Sequence, residues 1–240
     1  MKQRLYLDTS FAMPKTPLLI LIITITTYAQ TSLLDERDGK TYKTVKIGTQ
    51  IWMAENLNYD VEGSECYKNK PENCVKYGRL YNWDAALKNC PYGWHLPSKE
   101  EWDMLITVVG GEKTAGKKLK AKSGWKKYVP TGNDAEDCWN ENTSKPGNGT
   151  DNYGFSALPG YNGTFVNFWS STEINAHAVC LWCPNNADHI YCQENANKVD
   201  CQNDLKDAYG LEIDFCHDYT RWNRRHSKII DPLSVRCVKD

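Results

Sequence analysis

The chain has 240 residues, of which 40% are hydrophobic and 25% charged, the make-up of a folded globular protein rather than a disordered or collagenous one. Lys and Arg number 29 against 30 for Asp and Glu, a net charge of -1, which excludes the basic excess of nucleic-acid binders and of polybasic membrane-surface proteins. Two counts stand out: 10 Cys, and 9 Trp with 14 Tyr against 5 Phe, so the aromatic surplus is of the kind with a ring to bury and a polar tip to satisfy.

Leu18 to Ala29 form an uncharged apolar run behind Lys15, with Lys2 and Arg4 further upstream, and Thr27-Tyr28-Ala29 offers small residues for a cleavage site. This is the layout of a secretory signal peptide, and the run is shorter than the roughly 20 residues that span a bilayer. Residues 1–29 are therefore expected to be removed, with Met13 as an alternative start, leaving 30–240 as a single exported domain that does not span the membrane. Export makes the cysteines legible, because an even number in an oxidising compartment reads as disulfides.

In the exported part, Asp38-Gly39 and Gly48-Thr49-Gln50 are turns in a small β-meander that continues through Ile51-Trp52-Met53. Residues 61–78 read as a polar loop in which Cys66 and Cys74 can close a short bridge. A first helix is predicted over Arg79–Cys90 from the spacing of Leu80, Trp83, Leu87 and Cys90, ended by Pro91. A second begins at Ser98, where Ser98 and Glu101 form a capping box and Trp102, Leu105, Ile106 and Val109 form the apolar stripe, before Gly110-Gly111 stops it. Residues 113–122 are a short basic helical segment, and 130–152 a long loop. Strands are expected at 154–158, 167–171, 178–182, 211–216 and 233–238, with a polar insertion over 184–208. The pattern is one α+β domain, two early helices packed on antiparallel strands.

Several of these segments resemble the Fibrobacter succinogenes major paralogous domain: DGKTYKTVKIGTQIWMAENLNYD at 38–60, YGRLYNWDAALKNCPYGWHLPSKEEWDML at 77–105, AGKKLKAKSGW at 115–125, GTDNYGFSALPG at 149–160, FWSSTE at 168–173 and SVRCVKD at 234–240. The resemblance implies an exported domain with a C-type lectin-like fold, related to that of the formylglycine-generating enzymes. It also implies a bridge from the first helix to the last strand, Cys90–Cys237. Cys180 and Cys216 share the outward phase of their strands and suit a cross-strand bridge. Cys138, Cys183, Cys192 and Cys201 are left unassigned.

The chemistry such folds carry is tested motif by motif. Calcium-dependent lectins use Glu-Pro-Asn or Gln-Pro-Asp with Trp-Asn-Asp, supplying hard oxygens to Ca²⁺. Here Cys183-Pro184-Asn185 and Trp222-Asn223-Arg224 each lack an oxygen ligand, and Arg224 brings a cation. The paired thiols of formylglycine-generating chemistry reduce to Cys216 beside His217. Cys180-x2-Cys183, His189-x2-Cys192 and Cys201 have zinc-like spacing, but exported thiols are expected to oxidise. No G-x-S-x-G or H-E-x-x-H is present, and Glu100-Glu101 suits a helix N-terminus. Asn142, Asn148 and Asn162 begin Asn-x-Ser/Thr sequons, which matter only in a glycosylating host.

Trp52, Trp83, Trp94, Trp102 and Trp169 read as core. Trp182 and Trp222 differ, Trp222 lying in the polar stretch His217–His226. The expectation is an exported, non-catalytic, cell-surface or secreted binding module without cofactor or metal. Its partner would be a polysaccharide or cell-surface glycan, contacted by Trp182, Tyr219, Arg221, Trp222 and Asn223. The alternative is a structural or protein–protein interaction module of the cell envelope, and the plainer reading of Trp222 is a ring that shields the sheet.

Overall fold

The computed structural model describes residues 31–127, 147–160, 163–174, 207–226 and 232–240. The signal segment, the expected strand at 178–182, nearly all of the insertion and most of the 130–152 loop lie outside them, as do Cys138, Cys180, Trp182, Cys183, Cys192 and Cys201.

The first strands follow the turn signals. β1 (Thr31–Asp35) and β2 (Lys40–Ile47) pair across a turn closed by Gly39, whose φ of +73° suits a residue without a Cβ. β3 (Gln50–Met53) returns along β2 and sets Trp52 opposite Val45, both buried. The five-stranded sheet is completed in the order β1-β2-β3-β11-β6, where β6 is Trp94–His95 and β11 is Val238–Lys239. Val238 thus sits between Trp52 and His95, so the last strand locks between two strands from the first half of the chain.

The second sheet has six strands in the order β4-β5-β10-β7-β8-β9. β4 is Ser64–Glu65, β5 Leu80–Tyr81, β7 Phe165–Ile174, β8 Asp207–Asp214, β9 Thr220–His226 and β10 Leu233–Ser234. Pairing is antiparallel except for β10 with β7.

Helix α3 (Lys99–Val108) keeps its expected start: the Ser98 hydroxyl accepts from the Glu101 N–H, and the Glu101 carboxylate accepts from the Ser98 N–H at 2.8 Å. Its predicted stripe, Trp102, Leu105, Ile106 and Val109, is buried. α4 (Glu112–Leu119) realises the basic helical segment.

Four local expectations change. The 61–78 loop contains β4, a 3₁₀ turn at Tyr67–Asn69 and α1 (Pro71–Tyr77), which brings Cys74 to Cys66. The Arg79–Cys90 helix shortens to α2 (Trp83–Lys88), because Leu80 and Tyr81 pair with β4 and β10, and Asn82 caps the helix by accepting from the Ala85 N–H. Ala86 takes the inward place expected of Leu87, which is exposed. Residues 154–158 form a single bridge, Lys120 to Ala157, rather than a strand.

Finally, the 233–238 strand divides into β10 and β11, one in each sheet. Between them the backbone is carried by the Leu57 N–H on Val235 O (2.9 Å) and the Met53 N–H on Cys237 O (3.0 Å). The Cys90–Cys237 disulfide joins this crossing to the end of α2 over a separation of 147 residues.

Two apolar clusters meet across β7, whose alternate residues face opposite sides. Phe168 joins Trp52, Trp102 and Phe155, with ring centroids 4.6–6.2 Å apart, while Trp169 joins Tyr81, Trp83 and Leu96. The buried indoles are satisfied as their chemistry requires: Trp83 donates to Ser170 O, Trp102 to Trp169 O and Trp169 to Tyr81 O. Trp94 is only half-buried, at the margin of the second cluster.

Candidate functional site

The stretch singled out from sequence folds as β9 and the turn that joins it to β8, at one edge of the six-stranded sheet among the described residues. Successive side chains of a strand point to opposite faces, and that rule divides the expected site. Thr220 and Trp222 pair with Ile213 and Leu211, which belong to the core side. Arg221, Asn223 and Arg225 pair with Glu212, Gly210 and Ala208 on the other side.

Trp222 is half-buried. Its indole donates to Asp103 Oδ1 of α3 at 3.0 Å, meets the Tyr209 ring edge-on at 5.9 Å, and lies 5.0 Å from the Lys99 ammonium. It clamps the hairpin to α3. Tyr219 lies in the connecting turn, stacked at 4.3 Å on His217, whose imidazole is held by the Asp214 carboxylate at 2.7 Å. Lys120, 1% exposed, supports this turn from below by donating to the carbonyls of Asp214 (3.1 Å) and His217 (2.8 Å). Burial pushes its ammonium down to about 8, against the smaller opposing pull of Asp218 and Asp214. Cys216 is disulfide-bonded. Tyr219 and Trp222 therefore do not form one contact line, and Trp182 lies outside the described residues.

The opposite face, which also carries Trp169 and Ala208 of the second cluster, holds a different constellation. Glu212 gathers Arg221, the Asn223 amide at 2.9 Å and the Arg225 guanidinium at 3.3 Å. Arg225 also donates to Asn167 Oδ1 at 2.6 Å. Gly210 makes this reach possible: a Cβ there would stand 2.9 Å from Arg225 Cγ. The Arg225 Nε–H is buried without a protein acceptor among the described residues, an uncommon condition for a strong donor.

These groups border a groove of about 500 Å³ across the sheet. Asn167, Glu212 and Arg225 form one end. Glu65, Tyr67, Leu80, Phe165 and Leu233 are among the residues that supply the rest of the wall. Tyr67 is carried on the 3₁₀ turn next to the Cys66–Cys74 bridge, and Phe165 is 44% exposed. Such a groove has the volume of a small-ligand site and combines aromatic surface with a few convergent polar groups. Of the residues expected from sequence, Arg221 and Asn223 border this polar set through Glu212. Asn167, Arg225, Tyr67 and Phe165 were not foreseen. Alternation along β9 points to Arg225, but the partners contributed by β7 and the Cys66 loop are distant in sequence.

The sequence matches the Fibrobacter succinogenes major domain over residues 45–239. The chain belongs to this family. No curated protein and no solved structure matches it. Among the described residues of this family member, no group of His, Cys, Asp and Glu is arranged to hold a metal ion, and no helix is long and apolar enough to cross a membrane.

Proposed function

We propose that this protein is an exported, non-catalytic binding module that takes a segment of polysaccharide or cell-surface glycan in the groove across its six-stranded sheet. The observation that carries the reading is the Asn167–Arg225–Glu212 set beside Tyr67 and Phe165. Planar amide, guanidinium and carboxylate groups suit neighbouring sugar hydroxyls, and aromatic rings give rigid contact area at low entropic cost.

The fold reading is that of a divergent C-type lectin-like domain, supported by the Cys90–Cys237 tie from an early helix to the end of the chain. Export is supported by the apolar N-terminal segment and by disulfides of the kind that persist in oxidising compartments.

The test is a glycan and polysaccharide screen on the oxidised protein, followed by calorimetry of Arg225→Ala, Tyr67→Ala and Trp222→Phe. The expected result is a loss of about tenfold or more in affinity for the first two, as for central contacts of an interface. A loss confined to Trp222→Phe would move the site to the α3 side of the hairpin. Failure to bind any glycan would overturn the reading in favour of an envelope interaction module, for which a pull-down on envelope extract is the next experiment.

A further inference from the structure

A second cleft, of about 410 Å³, opens between β2, the segment following β3 and the C-terminal end of α1. Its charge is one-sided: Lys40, Lys43, Lys76 and Arg236 line it against a single carboxylate, Glu55. Part of this charge is answered locally. Lys40 pairs with Asp38 at 2.9 Å, and Lys43 reaches Glu55 at 3.8 Å. Lys76 lies over the Tyr77 ring at 4.8 Å.

Arg236 is the informative residue. It is 1% exposed, and its guanidinium donates to Asn56 Oδ1 (2.6 Å), Met53 O (3.1 Å), Phe155 O (2.6 Å) and Ser156 O (3.0 Å). These acceptors satisfy its hydrogen bonds but carry no net charge. No carboxylate among the described residues lies within ion-pair distance of it. A buried cation without a counter-ion is costly, and a low-dielectric wall focuses its field into the adjoining cleft.

We propose that this cleft is a second binding site, for the carboxylate of an acidic sugar such as a uronic acid residue. The charge calls for a small anion held by Lys76, Lys43 and the field of Arg236. The rest of the lining calls for a polyhydroxylated carrier. The Tyr42 hydroxyl accepts from the Asn58 N–H at 3.1 Å and keeps its own proton to donate, and the cleft has room for more than a bare ion. Burial pulls Arg236 down to about 9 despite the attraction of Glu55 and Asp151, so it remains a cation at neutral pH, and a bound carboxylate would raise it again. The inference does not depend on the groove, whose lining residues are different.

Calorimetry with an oligogalacturonate, and with the galactose oligomer of equal length that lacks the carboxylates, tests it on the oxidised protein. Lys43→Gln/Lys76→Gln serves as the variant, since both side chains are exposed and an unchanged unfolding temperature checks the fold. The acidic oligomer is expected to bind more tightly than the neutral one, less so at high salt, and the double variant to lower its affinity about tenfold. An acidic oligomer that binds no better than the neutral one would overturn the proposal, as would acidic binding unchanged in the double variant. Groove binding is read separately by the neutral oligomer, so failure there leaves the uronate comparison intact.

Discussion

The two described disulfides close loops of very different length, and the difference fixes a measurable ratio. Cys90–Cys237 spans 147 residues and Cys66–Cys74 spans 8. In the chain-entropy account, the first restricts the unfolded state by about 5 kcal/mol and the second by about 2.5 kcal/mol. Removing the long bridge as Cys90→Ala/Cys237→Ala also strips sulfur from a fully buried position at Cys237. Against a typical total of roughly 5–15 kcal/mol, that loss leaves a marginal fold, whereas Cys66→Ala/Cys74→Ala should remain folded. Urea denaturation of both variants, followed by tryptophan fluorescence, measures the two costs. The long-bridge variant should also show a steeper denaturant dependence, because its unfolded chain is freed to expand. A short-bridge loss equal to or greater than the long-bridge loss would refute the reasoning, as would a long-bridge variant with unchanged midpoint and slope.

Replacing Arg236 by methionine keeps much of its apolar volume but leaves Met53 O, Phe155 O, Ser156 O and Asn56 Oδ1 without their donor. A loss of about 3–5 kcal/mol is expected in the same denaturation assay, and a loss below about 1 kcal/mol would show that this cradle re-pairs without the guanidinium. At His95, burial opposes protonation, but hydrogen bonds to Asp240 (2.5 Å) and Glu101 (2.8 Å) outweigh it and raise the imidazole above its ordinary 6.5. The raised group stabilises the fold fully below pH 6.5, and this contribution is lost as pH rises through the higher folded value. Unfolding temperatures across pH 5.5 to 8.5 should therefore fall more in the parent than in His95→Gln, and identical profiles would contradict the assignment.

What could be read from sequence was local. The Ser98–Glu101 capping box and the stripe behind it lie within one helix, and the Asp38-Gly39 turn joins neighbours. The Cys66–Cys74 bridge closes a short loop. By contrast, Leu80 and Tyr81 look helical in isolation and are drawn into a strand by Ser234 and Leu233, more than 150 positions away. The last strand reads as continuous because nothing local reports that Leu233 and Val238 pair with different sheets. Arg236 explains the division only once Met53, Asn56, Phe155 and Ser156 surround it. The Cys90–Cys237 bridge came from family resemblance and could not have come from spacing.

The candidate site divides along the same line. Trp222 stands out in a polar stretch as if exposed, yet its indole is spoken for by Asp103, 119 residues upstream. Once β9 is recognised as a strand, its alternation requires that Trp222 and its neighbours Arg221 and Asn223 face opposite ways, so the three cannot share one contact surface. The face without Trp222 is the one where a glycine on β8 admits Arg225 to Asn167 and Glu212. The groove side of this hairpin is therefore polar along β9, and the rings that line the groove, Tyr67 and Phe165, come from elements that no reading of the hairpin alone could supply.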